Sequence, residues 1–436
     1  MVSTARRART DWAATRIAAF IGLVFRMIWS VAAGLIFLVF LITPLPLLRK
    51  ATHFFLATAS RLTSSTPIIG GTTDDWAVSR VLALPEMWCL IARQSGLVGA
   101  WRLKGVCWAS YQGVEEWLRT LPGLVMCGGR VVDSIDGRCT SEVWRLDLAT
   151  LRWRALPALM TARHEHACCT VRGALVVLGG LSNIDVDGKK YEHVWKFTST
   201  VETLSARAVG VFTSLPSLSC DHSAGAFAIT VEESISIAGQ VLLIGGRDNE
   251  GHGLSMVELV DLATGTCTPQ PATLDNRVCF TAVRIPDGRI VCAGGGIGTS
   301  AKHSTEVWGP PEGEAPSAMW TWTGLPSMNV GRTGCCGCVM SDGRFAVLGG
   351  YTNNGPMLSS CGALKVGADE HWTLLPPMHH ARLDFVCAAV ARCIIVAGGS
   401  ETPEVEMYDE DYGRWLQLPC NFPGAMDLID MGSALM

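Results

Sequence analysis

The 436-residue sequence predicts an all-β body built from one repeated unit: six four-stranded sheets closed into a ring, preceded by a short helical segment and an apolar N-terminal span. Three observations predict it. Six apolar runs end in paired glycines, beginning at Gly128, Gly179, Gly245, Gly294, Gly349 and Gly398. A Trp-x-x-Leu-Pro phrase returns as "WRALP" from Trp153, "WTGLP" from Trp322, "WTLLP" from Trp372 and "WLQLP" from Trp415. "FTSLP" from Phe212 and the decayed "CTPQP" from Cys267 complete the set. The composition agrees, because 46 Gly, 15 Trp and 17% charged residues suit short strands and tight turns better than long exposed helices.

In chain order, the N-terminal segment 1–50 comes first. Residues 27–48, "MIWSVAAGLIFLVFLITPLPLL", carry no charge and are mostly apolar. A hydrocarbon core about 30 Å thick needs about 20 helical residues, so this stretch is expected to be a single-pass membrane helix. A cleavable signal peptide is the rival reading, but the apolar run is too long and the Ala57-x-Ala59 site too far from it. Arg6, Arg7, Arg9, Arg16 and Arg26 precede the span and Arg49, Lys50 and Arg61 follow it. That bias favours a cytosolic N-terminus with the body on the far side. The 17 cysteines argue the other way. They sit in apolar runs such as "CCTV" and "VCAAV", as small buried residues in a reducing compartment do. On balance the body is expected to face the cytosol. Residues 51–80, rich in Ser, Thr and Gly, read as a linker.

Over residues 81–122 the apolar period changes from two to about 3.6, through Trp88, Ile91, Val98, Trp101, Val114, Trp117, Leu118 and Leu121. This predicts a unit of two or three helices. From residue 123 the period returns to two, and each cycle holds four short strands. The paired glycines let the chain turn where side chains would strike a crowded neighbour. A second signature follows them: "EVW" at 142–144, "HVW" at 193–195, "EVW" at 306–308 and "EMY" at 406–408. The Trp-x-x-Leu-Pro phrase then marks the outer strand and its exit, since Pro cannot donate a ladder hydrogen bond. Arg163, Arg277, Arg332 and Arg382 lead the next apolar strand. No such strand precedes Gly128, so the C-terminal tail "GAMDLIDMGSALM" is expected to supply it and close the ring, with Met426 in place of the arginine.

This order of paired glycines, aromatic strand, Trp and Arg-led strand resembles the kelch repeat of β-propellers, over residues 123–436 in six copies. The resemblance implies a six-bladed propeller that binds a protein target on its loop face. Arg163, Arg277, Arg332 and Arg382 are the candidates for partner contact there. Residues 81–122 also resemble an F-box. Leu84-Pro85-Glu86 matches its opening, Ile91 and Leu97-Val98 its apolar positions, and Leu103 with Val106-Cys107 its end. That resemblance implies docking of a Skp-type adaptor through Leu84, Pro85, Ile91 and Val106. The alternative is a helical cap that covers an open blade edge.

Other motifs are weak. In "RHEH" (163–166), His164 and His166 are placed on one strand face as the start of a metal site, but no third ligand is visible. Cys336 and Cys338 share a face as core residues do. "GGGIGTS" from Gly294 follows a strand and opens no helix, unlike a dinucleotide loop. "DHS" (221–223) is no triad. The expectation is therefore no enzyme, no cofactor and no metal. A net charge of −4 gives no reason to expect a nucleic-acid partner. The function expected is substrate recognition for an SCF-type ubiquitin ligase, with a membrane-tethered kelch scaffold as the alternative.

Overall fold

Six four-stranded antiparallel sheets follow one another along the chain, each a blade of one ring. The computed structural model describes residues 81–131, 138–185, 193–205, 210–220, 224–231, 238–296, 300–310, 319–353, 355–367, 369–400, 402–423 and 428–436. The expected span 27–48, the linker, the 221–223 motif and Met426 lie outside them. Among the described residues no helix is long and apolar enough to cross a membrane.

The second blade runs outward from the axis as Ala167–Val171, Ala174–Leu178, Val201–Ser205 and Thr213–Leu215. The third is Ala224–Val231, Gln240–Arg247, Val257–Asp261 and Cys267–Gln270, and the fourth Thr281–Arg284, Ile290–Ala293, Thr305–Gly309 and Thr321–Leu325. The fifth holds Cys336–Val339, Phe345–Leu348, Cys361–Lys365 and His371–Leu375. The sixth holds Val386–Val390, Cys393–Ala397, Glu404–Asp409 and Arg414–Asn421. The first blade takes Leu124–Cys127, Val143–Asp147 and Arg152–Leu156 from its own stretch and its innermost strand, Gly432–Leu435, from the other end of the chain. The expected closure is thus present, with Val125 opposite Ala434 and Met126 opposite Ser433. Innermost strands stand side by side around a central cavity of about 560 Å³.

Neighbouring blades are tied together by the two sequence phrases. The second glycine of a pair donates its N–H to the carbonyl of the next blade's leading arginine: Gly129 to Arg163, Gly246 to Arg277, Gly295 to Arg332 and Gly350 to Arg382, each at 2.8 Å. A Cβ on Gly128 would lie 2.5 Å from the Arg163 carbonyl, so glycine is required where the blades meet. On the outside, the Trp of three of the phrases grips the Pro of the preceding one. Trp322 Nε1 donates to the Pro271 carbonyl at 2.9 Å, Trp372 to Pro326 at 2.7 Å and Trp415 to Pro376 at 2.8 Å.

One signature is corrected. "HVW" belongs to an extra hairpin, Leu181–Asp185 with His193–Phe197, and the third strand of the second blade is Val201–Ser205. In the first blade "EVW" is displaced by two residues. Trp144, not Glu142, stands opposite the position two before the glycine pair, where the fourth blade has Glu306. Short, similar phrases fit either register, and only the strand pairing distinguishes them.

Two helices fill residues 81–122: α1, Pro85–Leu103, and α2, Trp108–Thr120. Pro85 opens α1 at a position that needs no N–H. Cys107 caps α2, its sulfur accepting from the Ser110 N–H while the Ser110 hydroxyl accepts from the Cys107 N–H. Gly96 breaks α1 at φ 67°, and the next N–H, of Leu97, donates to the Ala391 carbonyl of the sixth blade at 3.0 Å. Trp101 Nε1 and Lys104 Nζ donate to the carbonyls of Leu148 and Ala149 in the first blade. Trp88, Leu97, Leu103, Trp117 and Leu118 share one apolar core with Leu124, Leu146, Val390 and Ile395. The helices therefore pack on the hairpin-turn side of blades one and six, with no break in packing at residue 122.

Candidate functional site

The four leading arginines are buried in the blades. Arg163, Arg277 and Arg382 have 0% exposure and Arg332 has 6%. Each guanidinium donates to the first glycine carbonyl of its own blade, at Gly179, Gly294, Gly349 and Gly398, over 2.6–2.8 Å. Three also meet a glutamate on the third strand: Arg163 with Glu202 at 2.5 Å, Arg277 with Glu306 at 2.6 Å and Arg382 with Glu406 at 2.9 Å. Those glutamates accept N–H groups from the connection ahead of the arginine, such as Met160, Leu274 and His379. Burial pushes the Glu406 carboxyl up, but Arg382 and the His379 N–H outweigh it and hold the group below the usual carboxylate range. This corrects the expectation of partner contact at these four positions. A partner cannot reach side chains whose donors are spent inside the blade. Of the glutamates, Glu306 and Glu406 lay in the quoted signatures. Glu202 was hidden by the misplaced "HVW".

Two residues beyond each leading arginine, the chain turns at the axis, and six residues form a ring there. Glu165, Gly225, Cys279, Gly334, Asp384 and Asp430 all have positive φ, between 49° and 65°. Their backbones are joined in sequence: Glu165 N–H to the Asp430 carbonyl, Gly225 to Glu165, Cys279 to Gly225, Gly334 to Cys279 and Asp384 to Gly334. Three of the six are acidic and line the mouth of the central cavity. Arg247 reaches Glu165 at 2.7 Å, and Arg130 reaches Asp430 at 3.1 Å. His164 Nδ1 lies 3.7 Å from the same Asp430 carboxylate, and its ring meets Trp195 edge-on at 4.5 Å. Burial, then the nearby Asp430 and Glu165, push the Asp384 carboxyl well above its ordinary value. Glu165 is also raised, by burial and by Asp430. Asp430 is lowered, because His164 and Arg130 outweigh its burial. The mouth thus holds two arginine–carboxylate pairs and a third carboxyl, Asp384, whose charged form a nearby cation would favour. The common offset from the leading arginine was the sequence signal for Glu165 and Asp384, and it went unread.

His164 and His166 do not share a face, contrary to the sequence expectation. The strand begins only at Ala167 and Glu165 has φ 50°, so the alternation is broken between them. His164 turns to Asp430 and His166 to Cys127. Cys336 and Cys338 pack together with the apolar core between blades five and six, as expected.

On the helical unit, Leu84 is 50% exposed and Pro85 sits over α2, where a Cβ on Gly113 would lie 1.9 Å from the Pro85 carbonyl. Ile91 and Val106 are half-buried and pack against the core shared with blades one and six. Apolar exposure lies elsewhere on the unit: Leu90, Tyr111 and Trp108, the last 72% exposed and stacked on Tyr111.

No protein-family model matches the chain. It is similar to Kelch-like protein 34 of Homo sapiens, 27% identical over 301 residues, which is 66% of this chain and 44% of the relative. It is similar also to the F-box/kelch-repeat protein At3g27150 of Arabidopsis thaliana, 28% identical over 187 residues and 42% of each chain. The chain therefore spans less than half the length of these curated relatives. Among solved structures, "Structure of YjhT" superposes with a TM-score of 0.52 at 12% identity, covering 69% of this chain and 98% of that one, a likeness of fold alone. The six-bladed ring and these relatives support a kelch-repeat protein.

Proposed function

We propose that the target docks on the glycine-side face and places a basic side chain in the axial mouth, against Glu165, Asp384 and Asp430. The observation that carries this is the convergence of three acidic side chains on one ring of positive-φ residues, one of them, Asp384, with its carboxyl pushed well above its ordinary value by burial and by its acidic neighbours. The test is capture of cellular partners by the full-length chain, compared with Asp384→Asn and Glu165→Gln. Partner recovery should fall about tenfold, the equivalent of about 1.4 kcal/mol, while the melting temperature holds. An unchanged partner set in both variants would sink the reading.

A second reading, that the chain is an SCF-type adaptor, draws on the exposed Leu84, Leu90, Trp108 and Tyr111, an apolar display of the kind that marks interaction sites. Here Leu84→Glu with Trp108→Glu should abolish co-purification of a Skp-type partner and leave the target bound. Failure of the wild-type chain to recover any Skp-type protein leaves a kelch scaffold, tethered to a membrane through residues 27–48 with its propeller in the cytosol. Retention on carbonate-washed membranes and protease protection decide that tether and its side.

A further inference from the structure

Between the first two blades, three metal-ligating side chains meet that belong neither to the mouth nor to the arginine–glutamate pairs. Cys127 ends the second strand of the first blade. Cys168 lies on the innermost strand of the second, and His166 immediately precedes that strand. Cys127 Sγ stands 3.2 Å from Cys168 Sγ and 3.5 Å from His166 Nε2, and the three ligand atoms all lie within 4.8 Å of one another. His166 is buried, and the Cys127 thiol is its hydrogen-bonding contact. Its other ring nitrogen has no partner.

We propose that Cys127, His166 and Cys168 bind a thiophilic divalent cation, zinc by preference, which clasps the first blade to the second. Zinc–sulfur bonds of about 2.3 Å and zinc–nitrogen bonds of about 2.0 Å at tetrahedral angles place S···N at about 3.5 Å and S···S at about 3.8 Å. The first spacing is already present, and the second needs the two thiols to part by about half an ångström on binding. Two thiolates and a neutral imidazole cancel the charge of a divalent ion, so the occupied site is neutral. A monovalent soft cation would leave net charge in the same burial. His166 and Cys168 line the central cavity, which supplies an entry path and a water as fourth ligand. The open corner is guarded by Gly432, where a Cβ would lie 2.4 Å from both Cys168 Sγ and His166 Nε2.

The place is meaningful for the fold. Gly432–Leu435 is the closing strand, and among the described residues the first blade shows no arginine–glutamate pair, Trp144 standing where the even blades have the glutamate. The clasp would join the two blades beside the seam.

The test is metal uptake by the full-length chain after chelation, read with Zn²⁺ for stoichiometry and Co²⁺ for spectrum. The wild-type chain should take up one equivalent and show a thiolate-to-cobalt charge-transfer band, with a raised melting temperature. Cys127→Ser, Cys168→Ser and His166→Gln should each weaken uptake about tenfold or more, whereas Cys107→Ser, on an exposed residue, should not. No band in the wild-type chain overturns the proposal. So does a band that survives in both cysteine variants or is lost in Cys220→Ser instead. A Cys127–Cys168 disulfide in place of uptake, detected as the loss of two hydrogens by mass, overturns it equally.

Discussion

The second, fourth and sixth blades each bury an arginine against a glutamate, and the first and fifth, built on the same strand plan, do not. The register makes the comparison direct. Opposite the residue two before the glycine pair stand Glu202, Glu306 and Glu406 in the even blades, but Trp144 in the first and Gly362 in the fifth. In the third blade the same place holds Glu258, beside Cys220 and Cys267. The fifth blade keeps Arg332, bound to the carbonyls of Gly349 and Ser360 and to the Ser360 hydroxyl. Burial pushes that guanidinium below its ordinary value. The arginine is therefore needed first for its hydrogen bonds to the glycine carbonyl, and the glutamate answers its charge where one is present. The first blade uses neither and is held by strand exchange, with Gly123 and Met436 exchanging N–H···O bonds at 2.9 and 3.0 Å.

Removing residues 432–436 is the harshest way to break the comparison. It strips the first blade of its inner strand, exposes the edge of Leu124–Cys127 and opens the contact with the second blade. Cooperative melting of the whole ring should be lost. An unchanged melting curve would mean that strand exchange is dispensable even where no ion pair stands in for it.

A smaller effect separates paired from unpaired arginines. Arg277→Met leaves Glu306 buried without its counter-charge and should cost about 3–5 kcal/mol in denaturant unfolding. Arg332→Met removes a buried charge that faces no carboxylate among the described residues, and should cost less than half as much. Equal losses would show that the hydrogen bonds to glycine, and not charge balance, carry the whole effect.

The smallest effect should be a gain. Gly362→Glu places the missing carboxylate opposite Arg332, and its Cβ would meet the Trp372 ring at 3.3 Å, so the ring must give a few tenths of an ångström. The fourth blade carries Glu306 together with Trp322 at the equivalent phrase, so the arrangement is compatible. Stabilisation of about 1 kcal/mol, the worth of a modest charge-assisted hydrogen bond net of packing adjustment, is the expected shift in unfolding midpoint. A loss would mean that the fifth blade is built around the absence of that charge.

Much of the fold was legible because its signals are local. Glycine pairs, alternating apolar strands and the Trp-x-x-Leu-Pro phrase report backbone requirements at their own positions, and all six outer strands fall where that phrase places them. Registers were less legible, as "HVW" and the first "EVW" demonstrate. The candidate site was hardly legible at all. The arginines that looked like partner contacts are buried, and the acidic residues of the mouth carry no motif beyond a shared offset.

By itself, the sequence determined the repeat, the number of blades, the helical unit and the closing role of the C-terminal strand. Each follows from periodicity and from what Gly, Pro and Trp permit the nearby backbone to do. Only the tertiary structure decided which side chains face inward, that α1 and α2 share the propeller's core, and that Glu165, Asp384 and Asp430 converge. It also brought Cys127 beside His166 and Cys168. The physical reason is ring closure: it sets strands from distant parts of the chain in contact, and a side chain's charge, burial and partners depend on those neighbours, not on the residues beside it in sequence.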